Sequence, residues 1–195
     1  MTRRTSSSSI SPENAEHEIR KAYNTTIETG VTHFWDHRAL PGVDPNEVNA
    51  LYKHAFQCFR KKNLLAAERW ARTAKHLARA FWHEAKIAYL EPRSSDLPFL
   101  KGASDEDYNL KEHSDTTEDL LNSVANHIPQ GKKTEVQEEM ERYLSRGRDH
   151  LTLPNHPEYT HELLRVERIK AAHEYGRVLE CMTLAVEAET VQKAA

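Results

Sequence analysis

The chain has 195 residues, a formal net charge of −3 from 27 Lys/Arg against 30 Asp/Glu, and a mean hydropathy of −0.79. That length supports one domain without covalent staples, and no stretch approaches the roughly 20 apolar residues that span a bilayer. A secretory apolar core is missing near the N-terminus, and Cys58 and Cys181 are too few for a disulfide framework. A soluble protein of a reducing, cytoplasmic compartment is expected, with Cys58 a buried thiol. Gly and Pro are scarce and period-2 apolar runs are absent, so composition favours an all-α fold.

Residues 1–11, two arginines and a serine run, bury too little apolar surface to offset the entropy of ordering and are expected to form a disordered tail. Residues 12–195 are expected to form a single helical domain. Ser11-Pro12 followed by Glu13, Glu16 and Glu18 predicts a helix start, with a cap, a proline at the first position and acidic residues at the positive end of the dipole. Its face is Ile19, Ala22, Tyr23 and Ile27, and Gly30 is expected to interrupt it before Pro41-Gly42. Asp44, Pro45 and Glu47 open a second helix with the face Val48, Leu51, Tyr52, Ala55, Cys58 and Phe59.

Lys61-Lys62-Asn63 closes that helix, and a third is expected from Leu64 to about Leu90. There Ala67, Ala71, Ala74, Ala78, Phe81, Ala85 and Ala88 recur in steps of four and three, a seam that admits a neighbouring helix closely. So short a turn makes the two helices antiparallel neighbours. An acidic connection at about 92–115 is expected to be mobile, with Ser104 as a candidate cap and only 116–128 helical. Further helices are expected over Thr134 to Leu151 and from Asn155-His156-Pro157-Glu158 onward, the last with Ile169, Ala172, Tyr175, Leu179, Met182 and Val186 on one face. The sum is an antiparallel bundle of about six helices built around a long helical hairpin.

Charge is divided along the chain: residues 47–91 hold nine Lys/Arg against four Glu, and residues 102–141 hold three Lys against eleven Asp/Glu. Opposite the alanine seam stand Arg69, Arg72, His76, Arg79, His83 and Lys86, with Trp82 among them as a stacking surface. This cationic stripe is the candidate binding surface, able in principle to hold phosphates. Glu68 and Glu84 interrupt it, and the acidic 104–119 segment is a candidate internal cover. His33 and His37 are four apart in HFWDH, the spacing of two ligands on one helical face, but no third ligand is identifiable. They are the weak candidates for a metal, and no cofactor is expected. Glu158 and His161 form the sole E-x-x-H, where a di-iron bundle needs two. Phosphate loops, Ser/His/Asp sets and Cys-x-x-Cys pairs are not found.

Residues 51–78 resemble a single tetratricopeptide-type helical hairpin. Leu51, Ala55, Cys58, Phe59, Leu64, Ala67, Ala71 and Ala74 stand where that repeat places its large and small packing residues, over about one seventh of the chain. Lys62-Asn63 replaces a glycine-containing turn, Arg79 replaces the terminal proline, and the second helix runs on for three further turns. The resemblance implies a scaffold that binds proteins or peptides. Arg168 and His173 resemble the signature pair of HEPN-class helical ribonucleases, an arginine and a histidine separated by four to six residues on the terminal helix, which implies phosphodiester cleavage; Arg69 and His76 share the spacing. The expected function is therefore a non-enzymatic α-helical interaction module that holds a protein partner or a second copy of itself. An RNA-binding domain or a HEPN-like ribonuclease using Arg168 and His173 is the alternative, and no membrane contact is expected.

Overall fold

The computed structural model describes residues 10–34, 43–91, 109–128, 134–152 and 162–194. Among them are six helices and no strand: α1 (Pro12–Phe34), α2 (Pro45–Arg60), α3 (Leu64–Leu90), α4 (Leu110–Ala125), α5 (Glu135–Thr152) and α6 (Glu162–Ala194). The molecule is an all-α bundle. None of these helices is long and apolar enough to cross a membrane.

The two longest helices, α3 and α6, pair antiparallel at the centre, with α1 and α2 packed on α3 and α4 and α5 packed on α6. The sequence explains why these two take the middle. On α3 the seam residues Ala67, Ala71, Ala74, Ala78 and Phe81 are buried, but so are Ala66, Trp70, Leu77, Ala80 and Ile87, which point elsewhere around the helix. Apolar residues on several sides require neighbours on several sides. On α6, Ala172, Tyr175, Val178, Leu179, Cys181, Met182 and Ala185 are buried in the same manner. Glycine lets α4 approach: a Cβ on Gly176 would stand 2.7 Å from Leu120 Cδ2, and one on Gly147 of α5 3.0 Å from Leu121 Cδ2.

The hairpin turn is built by hydrogen bonds. Asn63 N–H donates to the Cys58 carbonyl and Lys62 N–H to that of Phe59, each at 2.9 Å, which satisfies carbonyls left open at the end of α2. Lys62 takes the left-handed conformation, φ 61°, that glycine usually fills. Asn63 then caps α3 by accepting from Ala66 N–H at 3.2 Å. Asp44 caps α2 as its sequence indicates, accepting from Asn46 N–H at 2.9 Å.

Two boundaries differ from expectation. Gly30 does not interrupt α1, whose backbone stays helical to Phe34; a lone glycine costs a helix only about 1 kcal/mol. Helix α4 begins at Leu110 rather than 116, because Asn109 accepts from Glu112 N–H at 3.1 Å and its amide donates back to the Glu112 carboxylate at 3.3 Å. The polar first turns need little burial once so capped; Thr117, Leu121 and Val124 are the buried residues. The serine-rich tail to residue 9, Ser104 and the rest of 92–108, and the 155–158 opening lie outside the described residues.

Candidate functional site

The α3–α6 interface is a ladder of polar pairs that repeats every seven residues. His76 Nδ1 lies 2.5 Å from Glu174 Oε2, and His83 Nδ1 lies 2.6 Å from Glu167 Oε2. A step of seven up α3 matches a step of seven down α6, which is how antiparallel helices keep a common seam. A second row keeps its own register: Trp70 Nε1 donates to Glu189 at 2.6 Å, Tyr175 Oη to Glu84 at 2.9 Å, and Arg168 to Glu91.

The ladder absorbs most of the cationic stripe. Arg72 pairs with Glu68 at 2.6 Å and Glu18 at 3.6 Å, His76 and Arg79 with Glu174, and His83 and Lys86 with Glu167. Lys86 Nζ also sits 3.6 Å above the Trp82 ring, so the expected stacking surface already carries a cation. His76 and His83 are buried, Arg69 is half-buried and Arg79 is exposed. Helix α4, which holds residues 110–119 of the acidic stretch, packs on α6 and α5, residues 104–108 lie outside the described residues, and the carboxylates paired with the stripe belong to α6, α1 and α3 itself. Burial pushes Glu167 and Glu174 towards protonation, but hydrogen bonds from His83 and His76 outweigh it and hold both below the usual carboxylate value.

One end of the second row is closed. Glu84, buried on α3, accepts from His150 Nε2 and Tyr175 Oη on one oxygen, each at 2.9 Å, and from the Arg146 guanidinium on the other. The rings of His150 and Tyr175 stack 6.1 Å apart, and Tyr143 stacks on Tyr175 at 6.0 Å. Burial raises the Glu84 pKa, yet the His150 hydrogen bond and the Arg146 charge outweigh it and bring it below the ordinary value. Burial also keeps the Tyr175 hydroxyl far above its usual pKa, so it donates. Every group in the cluster has a partner, an arrangement suited to fixing three helices.

The other end is open. His54 and Cys58, four apart on α2, meet Glu189 of α6: His54 Nε2 is 2.6 Å and Cys58 Sγ 3.7 Å from Glu189 Oε1, the oxygen that also accepts from Trp70. Nitrogen, sulfur and oxygen donor atoms lie within 4.8 Å of one another. They border a cleft of about 400 Å³ lined also by Gln57, Lys61, Asn63 and Gln192. Burial, then the Glu189 charge, push the Cys58 thiol up to about 11, so it is no nucleophile near neutrality.

The two residues of the catalytic alternative have different surroundings. Arg168 is buried, paired with Glu91 and 3.5 Å from His150, whereas His173 is exposed. Five residues on a helix separate two side chains by about 140° around its axis. Arg168 and His173 therefore both lie on α6 as expected, on different sides of the helix. His37 and the Glu158–His161 motif lie outside the described residues, as does the His33 side chain.

A different surface is exposed on α1 and α2. Tyr23, Ile27 and Phe56 are 50, 45 and 47% accessible, and Tyr23 meets the half-buried Tyr52 with ring centroids 5.7 Å apart. Comparison with protein-family models, curated proteins and solved structures gives no match.

Proposed function

We propose that this chain is a non-enzymatic helical interaction module whose contact surface is the outer face of α1 and α2. The observation that carries the reading is the exposed patch of Tyr23, Ile27, Tyr52 and Phe56. Aromatic side chains supply much of the energy of compact interfaces, and a cluster joined across two helices offers contiguous area that isolated residues do not. Its rim is basic: Lys53 and Arg60 stand three and four residues from Phe56, both exposed. That charge favours a partner protein presenting an apolar face with acidic flanks, steered by the rim and held by the rings. The neutralisation of the α3 stripe supports the same choice, since phosphate binding would compete with five internal carboxylate pairings of Arg72, His76, Arg79, His83 and Lys86. The Arg168–Glu91 pairing likewise gives a ribonuclease reading no support.

The test is site-specific photo-crosslinking in the native cell extract with benzoylphenylalanine in place of Phe56. One discrete adduct is expected, lost when Lys53 and Arg60 are both changed to Glu, and absent when the label replaces exposed Glu118 on α4. No adduct at position 56, or the same adducts at both positions, contradicts the proposal. A crosslink between two copies of this chain would make the surface a homodimer interface and overturn the acidic-partner reading.

A further inference from the structure

The open end of the ladder has a composition that the interaction surface does not use. Two positions along α2 turn a side chain by about 200°, so His54 and Cys58 face α6 while Tyr52 and Phe56 face outward. We propose that His54 Nε2, Cys58 Sγ and the Glu189 carboxylate form a three-ligand site for a divalent cation of the zinc class, which fastens the last turns of α6 to α2.

The donor set is the first argument. Imidazole, thiolate and carboxylate together are ligands of zinc and related ions, whereas calcium and magnesium take oxygen alone. Spacing is the second. A tetrahedral ion with bonds of about 2.0–2.3 Å separates its ligand atoms by roughly 3.3–3.6 Å. The separations of 2.6 Å and 3.7 Å, and the overall limit of 4.8 Å, fall on both sides of that range, so side-chain adjustments of roughly 1 Å bring all three onto one centre.

The third argument is the support behind the ligands. Trp70 Nε1, a donor that cannot accept, holds Glu189 from α3 and orients the carboxylate, as the groups behind metal ligands commonly do. Glu189 Oε2 has no hydrogen-bond partner among the described residues, and Glu189 pairs with no lysine or arginine there. The fourth argument is room, because the 400 Å³ cleft leaves a position for water as fourth ligand. Lys61 also lines the cleft but is exposed at its rim and free to turn outward.

The exchange balances. Without metal, hydrogens of His54, Cys58 and Trp70 converge on Glu189 Oε1. The cation replaces the first two: neutral His54 binds through Nε2 with its proton on Nδ1, and Cys58 binds as thiolate after releasing one proton to solvent. A doubly charged ion against one thiolate and one carboxylate leaves the site neutral.

Cobalt(II) titration of the reduced, full-length protein tests this. Saturation at one equivalent is expected, with a thiolate-to-cobalt charge-transfer band in the near ultraviolet that added Zn²⁺ bleaches. Cys58→Ser should abolish the band and Cys181→Ser should retain it. His54→Ala, at a half-exposed position, should weaken cobalt binding at least tenfold while helical circular dichroism stays unchanged, so this variant decides the matter if Cys58→Ser does not fold. Absence of the band in the wild-type protein, its survival in Cys58→Ser, or indifference to His54→Ala would overturn the proposal. None of these results bears on the α1–α2 surface, so the two proposals fail separately.

Discussion

The second row of the α3–α6 ladder carries a carboxylate near each end, and the two are treated differently. Glu84 accepts on both oxygens from an arginine, a histidine and a tyrosine, all from α5 or α6, and is buried. Glu189 accepts on one oxygen from a histidine, a tryptophan and a thiol at the edge of a cleft. The first has its compensating cation in the fold. The second has hydrogen-bond donors but no lysine or arginine paired with it among the described residues, and two of those donors, imidazole and thiol, are side chains able to ligate a metal. A place in the same row of the α3–α6 interface therefore does not make equal chemistry; what faces the carboxylate from the third helix decides it.

Removing Glu84 is the severest way to break the comparison. Glu84→Ala leaves Arg146 and His150 without their carboxylate in a buried site and should cost about 3–5 kcal/mol, read by urea unfolding. Acid should act on the same groups. Glu84, Glu167 and Glu174 have folded-state pKa values below their unfolded ones, so their stabilisation is full above about pH 4.3 and is lost as pH falls through the lower folded values. Melting temperature should drop steeply below pH 4, and Glu84→Gln should flatten the slope. Gly176→Val, beside the closed end, drives a side chain into Leu120 and should cost about 1–3 kcal/mol.

At the open end the effects should be smaller. Glu189→Gln keeps an acceptor for Trp70 and should cost only about 1 kcal/mol without metal. Lys62→Gly, in the turn beside the cleft, relieves a left-handed lysine and should add about 0.5–1 kcal/mol in thermal unfolding.

Helix number, the α2–α3 turn and the alanine seam were legible because each is local: caps at Asp44 and Asn63 and a four-three apolar spacing declare themselves within a few residues. The start of α4 was missed because Asn109 and Glu112 outweigh a polar first turn that lacks apolar periodicity. The stripe on α3 was legible as a row of cations, but not its neutralisation, which for His76 and His83 depends on glutamates 98 and 84 residues away. A signal was present: Glu167 and Glu174 repeat the seven-residue interval of His76 and His83 in mirror order. The His54–Cys58 spacing was likewise visible, but Glu189, 131 residues from Cys58, joins it only once α6 lies against α2 and α3.

Amide hydrogen exchange along α6, with and without one equivalent of Zn²⁺, tests the contrast between the ends most directly. The account predicts that amides around Arg168 to Val178 are protected in both conditions, while those around Ala185 to Thr190 gain protection only with Zn²⁺ and gain none in Cys58→Ser. Equal protection along the helix without metal, or no response to Zn²⁺ at the Glu189 end, would contradict it.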